Sequence, residues 1–276
     1  AGQVAPYDQG LEVAGIAAST AVRIGAWMAD VHTQYHQTRP WLLLDEGATY
    51  TSSAMPQKRN PGLIMRVRER ASNVVGLAQT VTLRAHNVTS GMTDYKESVA
   101  ELNVMPQAVR MLQSTTVVLG ALRIDPARSL EELEDDWTPS MELAEALQQE
   151  HNVPFRVGHR FASDIVTAAR SGGHKAKTFP YAQAVALYAK ARAHFKLPEA
   201  ALPFNEARFR QLLSPAEMVK SRVGIGGPQP AEVERMLRAA TANLVAEQAW
   251  MRKTREGLKT ADGRLDEAFG RLLAGR

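Results

Sequence analysis

Apolar side chains in the first 120 positions recur at intervals of three and four, which is the spacing of an amphipathic helix. The pattern predicts one long helix over residues 11–38 and a second over 63–83. A third helix is expected over 94–122, with a kink at Pro106 because proline lacks the backbone N–H that a helix interior needs. Between the first two helices, the run 41–44 is apolar and is expected to be a short buried segment. Three long helices without a clear strand pattern indicate a helical bundle.

The apolar pattern changes near residue 136, after which the predicted helices are shorter. We therefore expect an all-α chain with two domains, a long-helix bundle at 1–136 and a smaller helical domain at 137–276. The second domain is expected to end in a long helix over 232–258 and a short one over 264–273. Its earlier helices are predicted at 139–150, 154–171, 179–195, 205–213 and 215–222.

The composition is that of an ordinary globular protein, with 45% hydrophobic and 22% charged residues and a net charge of +4. Lysine and arginine are dispersed rather than clustered, so nucleic-acid binding is not expected. The chain has no cysteine, which excludes thiol catalysis and disulfides and agrees with a cytoplasmic location. No apolar run reaches membrane-spanning length. Because the chain starts without Met and reads as helix from Leu11, we expect a fragment of a longer polypeptide.

The loop at 49–61 concentrates polar chemistry between the first two predicted helices. Asn60 is a favoured N-cap residue and Pro61 suits the first helical position, so the next helix is expected to start there. A helix N-terminus offers free N–H groups and partial positive charge, and Lys58 adds a full charge beside it. The pattern therefore predicts an anion site, most simply for a carboxylate, with a serine next to it. A capped polar loop without chemistry is the structural alternative.

The same loop resembles the signature of the fumarase/aspartase/argininosuccinate lyase superfamily, and it does so with high specificity. Thr51 stands where the family usually has glycine, which removes no chemical group from the loop. A weaker resemblance continues from Pro6 to Ala239. The residues that carry the signature are Ser52-Ser53-x-Met55-Pro56-x-Lys58-x-Asn60-Pro61.

The resemblance implies β-elimination from a succinyl compound with release of fumarate, without a metal or other cofactor. It implies that Ser52 is the general base, that Lys58 and Asn60 bind the substrate carboxylate, and that Ser53 binds the same group. It also implies a homotetramer whose long helices form a shared core and whose active sites draw residues from several subunits. The family's general acid lies in an N-terminal region that this chain lacks, so we expect the isolated 276-residue chain to have little activity.

Three features narrow the branch of the superfamily that the chain resembles. Pro56-Gln57-Lys58 favours argininosuccinate lyases, whose leaving group is an amine, over fumarase or aspartase. In those lyases the loop matching 86–93 carries a tyrosine and a lysine, where this chain has Val88 and Ser90. This departure predicts an N-substituted aspartate other than argininosuccinate. The run 32–41 is similar to a subgroup that includes aminopolycarboxylate lyases such as ethylenediamine-disuccinate lyase.

The sequence alone leaves three functional classes possible. The chain is either a lyase, a non-catalytic structural relative, or a helical scaffold that binds a partner through 228–273. His32 and His36 lie four residues apart and so share a helix face, but they lack a third metal ligand nearby and are expected to be surface histidines. His159 is expected to be structural, and the glycine-rich run 223–230 lacks the spacing of a phosphate-binding loop.

Overall fold

The computed structural model describes residues 8–86 and 103–275, which are mainly helical. The prediction of an all-α fold is confirmed. Within the described ranges the helices are α1 Asp8–Tyr35, α2 Gly62–Ala85, α3 Val104–Ala121, α4 Pro126–Asp135, α5 Ser140–His151, α6 Phe155–Gly172, α7 Tyr181–His194, α8 Glu206–Leu212, α9 Pro215–Ser221 and α10 Pro230–Ala274. The strands are β1 Leu42–Leu44, β2 Tyr50–Thr51, β3 Arg59–Asn60 and β4 Leu122–Ile124.

The first part of the chain is built on three helices that pack side by side, α1 on α2, α2 on α3 and α1 on α3. Each helix buries the stripe that its sequence period predicts, because residues three and four apart lie on one face. On α1 the stripe is rich in alanine, which allows close approach of the neighbouring helices. The stripes meet in one core that includes Met28, Ile64, Val67, Val74, Val104 and Met111.

The predicted buried segment 41–44 contains a strand, β1, which the helical pattern did not reveal. β1 pairs antiparallel with β4, so that Leu43 lies opposite Arg123. The pairing is extended at its ends by backbone hydrogen bonds from Asp45 N to Ala121 O and from Asp125 N to Trp41 O, at 2.9 and 2.8 Å. This small ladder connects the chain after α1 to the chain after α3 and fixes where the loop before α2 starts.

The third predicted helix is described only from Val104 onward, and its expected start at Asp94 lies outside the described residues. Pro106 is the third residue of α3. A proline in the first helical turn costs no internal hydrogen bond, so the expected kink at Pro106 is not required.

The second part of the chain packs α5 on α6, α6 on α7 and α5 on α8 around an aromatic core. In it Phe161 meets Tyr188 edge to face, with ring centroids 5.4 Å apart. Gly158 allows α5 and α6 to touch, because a Cβ at this position would lie 2.7 Å from the Cα of Ala144. The core also contains Leu143, Leu147, Ile165, Phe179, Phe204 and Phe209.

A buried carboxylate on α5 connects this helix to the chain at the end of α9. Glu142 on α5 is only 3% exposed. Its Oε2 accepts a hydrogen bond from the hydroxyl of Ser221 at 2.6 Å, and its Oε1 contacts the Arg222 guanidinium. Arg222 also reaches Glu145 at 2.7 Å, so that the buried charge is neutralised and hydrogen-bonded. The sequence analysis did not identify this cluster, since its members are almost 80 residues apart.

The end of the chain differs from the prediction of two helices. α10 is one continuous helix from Pro230 to Ala274, and it runs through Asp262 and Gly263, where the sequence suggested a break. A single glycine weakens a helix by only about 1 kcal/mol relative to alanine, and the flanking turns keep their hydrogen bonds. No residue of α10 is buried among the described residues.

The chain divides into two compact units, Ala1–Glu132 and Leu133–Arg276. The division falls within α4, a few residues before the predicted boundary at 136. The assignment of domains at 1–136 and 137–276 stays a prediction. In the described part of the chain, no helix combines the length and the apolar character needed to cross a membrane.

Candidate functional site

The polar loop is held as the connection between two short paired strands. β2 and β3 run antiparallel, with Tyr50 opposite Asn60 and Thr51 opposite Arg59. Thr51 is thus a strand residue, and a β-branched side chain fits that position at least as well as the glycine usual in the family. One step further along the same register lie Ser52 and Lys58. The pairing therefore brings two predicted site residues to the base of one loop.

Side chains alternate between the two faces of a strand, and this alternation determines which of these residues lie on the same face of the hairpin. Residues two apart on a strand, and residues directly opposite across an antiparallel pair, point to the same side. Extending the β2–β3 register by one pair therefore places Ser52, Lys58 and Asn60 on one side of the hairpin. Arg59 belongs to the other side, where its guanidinium contacts the Glu46 carboxylate at 3.2 Å.

The hydroxyl oxygen of Ser52 faces backbone donors of its own loop. It accepts hydrogen bonds from the N–H groups of Ala54 and Met55, at 3.2 and 3.3 Å. A turn closes the far side of the loop, since the Lys58 N–H donates to the Met55 carbonyl at 3.0 Å. Ser52 is half-buried, whereas Ser53 is exposed. Two oriented N–H dipoles at one serine oxygen favour negative charge on that oxygen.

The Lys58 ammonium is open to a ligand. Its side chain is exposed, and within residues 8–86 and 103–275 the structure gives it no ion-pair partner. An unpaired lysine beside a helix start favours binding of an anion such as a carboxylate.

Asn60 is not the N-cap that the sequence suggested, because it is paired within β3. The N-cap of α2 is Pro61, and helix α2 begins at Gly62. The amide nitrogen of Asn60 donates to the carbonyl of Tyr50 at 3.2 Å. This bond uses one of the amide donors and leaves the amide oxygen and a second N–H available to a ligand.

Tyr50 packs closely over the start of α2. A Cβ built on Gly62 would lie 2.7 Å from Cε1 of the Tyr50 ring. Glycine at this position therefore lets the aromatic ring cover the first turn of the helix. Tyr50 also supplies the carbonyl that Asn60 holds, so one residue links the strand pair, the amide and the helix start.

A tyrosine on α1 supports the loop from behind. The hydroxyl of Tyr35, which is 9% exposed, donates to the carbonyl of Arg59 at 3.1 Å. Burial raises the pKa of the Tyr35 hydroxyl, and the nearby Arg59 charge opposes this shift in part. Tyr35 was not predicted to support the site. The one sequence signal that could have indicated this residue is its position on the buried face of α1.

The second predicted site region, 86–93, lies almost entirely outside the described residues. His86 is the exception. It ends α2 as its C-cap, and its backbone N–H donates to the Thr82 carbonyl at 3.1 Å. The departures at Val88 and Ser90 stay sequence-based predictions.

His32 and His36 touch each other on α1, with their Nε2 atoms 2.9 Å apart. Nη1 of Arg68 on α2 lies 2.6 Å from Nδ1 of His32. Because a guanidinium can only donate, Nδ1 of His32 accepts, so that its Nε2 carries the proton given to His36. Burial, the His36 ring and the Arg68 charge all lower the pKa of His32. His32 and Arg68 border a groove of about 560 Å³ between α1 and α2.

In the described part of the chain, no group of three or more His, Asp or Glu side chains is arranged to hold a metal ion. His159 is exposed on α6, with its ring 6.3 Å from that of Phe155. The glycine-rich run 223–230 forms the turn before α10, where Gly226 N–H donates to the Glu232 carboxylate at 2.8 Å. The hydrogen bond from the Arg235 guanidinium, and after it the one from Gly226, lower the pKa of Glu232 to about 2.

No family model matches the chain. Curated relatives at 22–29% identity are argininosuccinate lyases. The enzyme of Methanoculleus marisnigri is 29% identical over 79% of this chain and 42% of its own length. That of Rhodococcoides fascians is 24% identical over 97% of this chain and 52% of its own length. Argininosuccinate lyase 2 of Agrobacterium fabrum is 27% identical over 86% of this chain and 48% of its own length. The chain therefore spans about half the length of the curated relatives it matches.

Solved structures share the fold. A variant of EDDS lyase with bound fumarate superimposes with a TM-score of 0.79 at 20% identity, over 94% of this chain and 51% of that one. A fumarate lyase:delta crystallin from Brucella melitensis bound to cobalt gives a TM-score of 0.53 at 16% identity, over 76% of this chain and 41% of that one. Sequence relatives and fold thus agree with the signature in the loop. The chain is thus similar in sequence to argininosuccinate lyases and shares its fold with EDDS lyase and a fumarate lyase.

Proposed function

We propose that this chain supplies the signature-loop part of a carbon–nitrogen lyase that releases fumarate from an N-substituted aspartate by β-elimination. The observation that carries the proposal is the Ser52 hydroxyl oxygen held by two backbone N–H groups, opposite Lys58 in the extended register, with no ion-pair partner of Lys58 among the described residues. The curated relatives are named argininosuccinate lyases, and a structural relative is an EDDS lyase with bound fumarate. Because the chain covers about half of these proteins, the activity is assigned to the assembled, full-length protein.

Ser52 acts as the base in this proposal. A serine hydroxyl is far too weak a base at neutral pH, so its alkoxide must be stabilised at the moment of proton transfer. The N–H groups of Ala54 and Met55 point at the oxygen that would carry this charge. Lys58, opposite Ser52 in the extended register of the hairpin, adds a full positive charge. The Ser52 hydroxyl first gives its proton to solvent, and the resulting alkoxide then removes the Cβ proton of the aspartate unit and becomes a hydroxyl again.

Loss of that proton leaves two electrons on Cβ, which delocalise into the neighbouring carboxylate as an enediolate-like dianion. Stabilising this dianion must supply most of the rate, because the carbon acid is very weak. Lys58, the free side of the Asn60 amide and the N-terminus of α2 provide positive charge and hydrogen-bond donors for it. Ser53 contributes a further hydroxyl to the same carboxylate.

The electron pair then forms the carbon–carbon double bond of fumarate while the bond from Cα to nitrogen breaks. The amine leaves with a proton from a general acid that no described residue supplies in this scheme. We propose that the acid comes from the remainder of the full-length protein or from a neighbouring subunit of a homotetramer with shared active sites, located in the cytoplasm. No metal ion or other cofactor takes part.

The substrate class is an N-substituted aspartate. Argininosuccinate is one member, and the sequence departures at Val88 and Ser90 favour a different amine. EDDS lyase, which has been crystallised with bound fumarate and with formate, gives a structural precedent for an aminopolycarboxylate.

The test is a fumarate assay on the full-length protein, with argininosuccinate and a panel of N-substituted aspartates including ethylenediamine-disuccinate. We expect fumarate from at least one N-substituted aspartate and none from malate, whose leaving group is water. Release of fumarate from malate alone would show that the leaving group is a hydroxyl and not an amine. Absence of fumarate from every compound, with the protein folded and assembled, would indicate a non-catalytic relative.

A further inference from the structure

The helix α10 carries an apolar seam that nothing in the described part of the chain covers. Large apolar residues recur there every seven positions over six heptads. All are exposed by 42–70%. A strict seven-residue repeat winds two helices around each other, because 3.5 residues per turn keep the seam on the partner. The seam consists of Leu237, Leu244, Met251, Leu258, Leu265 and Leu272.

The second seam position of each heptad is small or polar instead of large. With the leucines taken as position a, position d holds the residues Ala240, Glu247, Thr254, Ala261 and Ala268. In a parallel pair, equal positions meet, so that leucine layers alternate with loosely filled alanine layers and the two Glu247 carboxylates face each other. In an antiparallel pair, a faces d, so that most layers combine leucine or methionine with alanine, threonine or glycine, while Leu265 faces Glu247 in the remaining two.

One antiparallel register aligns the whole seam. If the two-fold axis passes near Glu256, Leu244 faces Ala268 of a second copy, and Met251 faces Ala261 of the second copy. The same register places Trp250 beside Arg264 of the second copy, on both sides of the axis. An arginine stacked on the face of a tryptophan is a favourable cation–π pair. In the separate helix, Trp250 is 69% exposed to solvent.

The area is sufficient for a stable dimer. A fully buried leucine removes on the order of 60–120 Å² of apolar surface from water. Twelve seam residues, six from each helix, therefore bury about 700–1,400 Å², and the two tryptophans add roughly 150–250 Å² each. Specific interfaces bury about 1,200–2,000 Å² in total.

We propose that α10 is a self-association surface, on which a second copy of this chain forms an antiparallel coiled coil over residues 237–275. This self-association goes beyond the proposed lyase function and does not depend on that function. The assignment commits to a second copy because the seam matches itself in one register, with complementary volumes and an arginine–tryptophan pair on both sides of the axis.

Disulfide cross-linking tests the register directly, because the chain has no cysteine of its own. Gly257 lies at the flank of the seam next to the axis, so Gly257→Cys brings two copies of one thiol together. Gly263→Cys is the matched control on the outer face of the same helix. A Cβ at either glycine meets no atom within 4 Å, so both variants keep the helix.

Under mild oxidation we expect Gly257→Cys to form at least ten times more covalent dimer than Gly263→Cys. Leu244→Cys alone should stay monomeric on a denaturing gel, since the register holds its two copies roughly 36 Å apart along the axis. The double variant Leu244→Cys with Ala268→Cys should cross-link. A Leu244→Cys dimer as strong as that of Gly257→Cys would establish a parallel pair and overturn the proposal. Equal or absent cross-linking at Gly257 and Gly263 would overturn self-association itself. The readout is independent of catalysis, so an inactive protein does not affect it.

Discussion

The hydroxyl of Tyr35 donates to the carbonyl of Arg59 at 3.1 Å, across 24 residues of sequence. This contact joins the C-terminal end of α1 to the second strand of the hairpin that presents Ser52, Lys58 and Asn60. A short two-stranded pair is only marginally stable by itself, so the loop depends on such external support. Tyr35 is a positioning residue in this account, since it does not face the proposed substrate.

Tyr35→Phe removes this one hydrogen bond and keeps the ring in place. The free energy of unfolding should fall by about 1 kcal/mol, the usual net value of an intramolecular hydrogen bond. The rate of fumarate release should fall with it, because the hairpin loses its anchor. Chemical denaturation and the fumarate assay on the same samples measure both. Unchanged values in both experiments would show that the loop does not need Tyr35.

Wild type and Tyr35→Phe also allow a test at alkaline pH. The pKa of Tyr35 is raised in the folded protein, so the protonated hydroxyl is favoured by folding. Its contribution to stability is complete below the ordinary pKa of 10 and is lost as the pH rises through the raised value. The stability difference between wild type and Tyr35→Phe should therefore shrink above pH 10. A difference that grows in this range would contradict the assignment.

Gly62→Ala tests the contact between Tyr50 and the first turn of α2. The new Cβ would lie 2.7 Å from the Tyr50 ring, which must move and shift the carbonyl that holds Asn60. We expect a loss of fumarate release of tenfold or more with the helices intact by circular dichroism. Gly76→Ala is the control on the same helix, where a Cβ meets nothing within 4 Å. That variant should keep its activity and gain up to about 1 kcal/mol of stability from helix propensity.

His32 gives a test at mildly acidic pH. The pKa of His32 lies below its ordinary value of 6.5 in the folded protein, mainly because of burial and then because of His36 and Arg68. Folding thus favours the neutral ring, and its contribution to stability is present above pH 6.5 and is lost as the pH falls through the lowered pKa. In His32→Gln this part of the pH dependence should disappear. Denaturation curves between pH 7 and pH 4 measure it, and identical slopes in both proteins would count against a shifted His32.

Glu142→Ala tests the buried charge cluster of the second unit. The substitution leaves Arg222 with Glu145 alone and removes the carboxylate acceptor of the Ser221 hydroxyl, so we expect a loss of about 3 kcal/mol in the free energy of unfolding. Glu234→Ala breaks an exposed pair with Arg238 on α10 and should cost no more than about 0.5 kcal/mol. Similar losses in the two variants would show that burial does not matter at Glu142.

Much of the fold could be predicted from apolar spacing, because helices that bury one stripe leave a regular signal in the sequence. The bounds of α1, α2 and α5 to α9 lie within a few residues of the prediction. The strands β1 and β4 could not be predicted, since a three-residue strand carries too little pattern and its partner is about 80 residues away. The break expected in α10 was wrong because neighbouring turns outweigh the low helix propensity of Gly263.

The site was predicted less completely than the fold. The sequence identified the loop and its polar residues, and the structure adds two backbone N–H groups that donate to the Ser52 hydroxyl oxygen. It assigned Asn60 to a helix cap, although the residue is held in a strand pair. Tyr35 and Gly62 were not identified, because their roles arise from packing between elements and have no local pattern. The roles of Ser52, Ser53, Lys58 and Asn60 in catalysis stay predictions.

The central claim is that the Ser52 oxygen removes the Cβ proton, and substitution of that one atom tests it most directly. The measurement is the rate of fumarate release by the full-length protein with its best N-substituted aspartate, compared between wild type, Ser52→Ala and Ser53→Ala. We expect Ser52→Ala to lower kcat by about 10²–10⁴, the usual contribution of a general base, with assembly unchanged. Ser53→Ala should act mainly on KM. A Ser52→Ala protein that keeps wild-type kcat would contradict the account and assign the base to another residue.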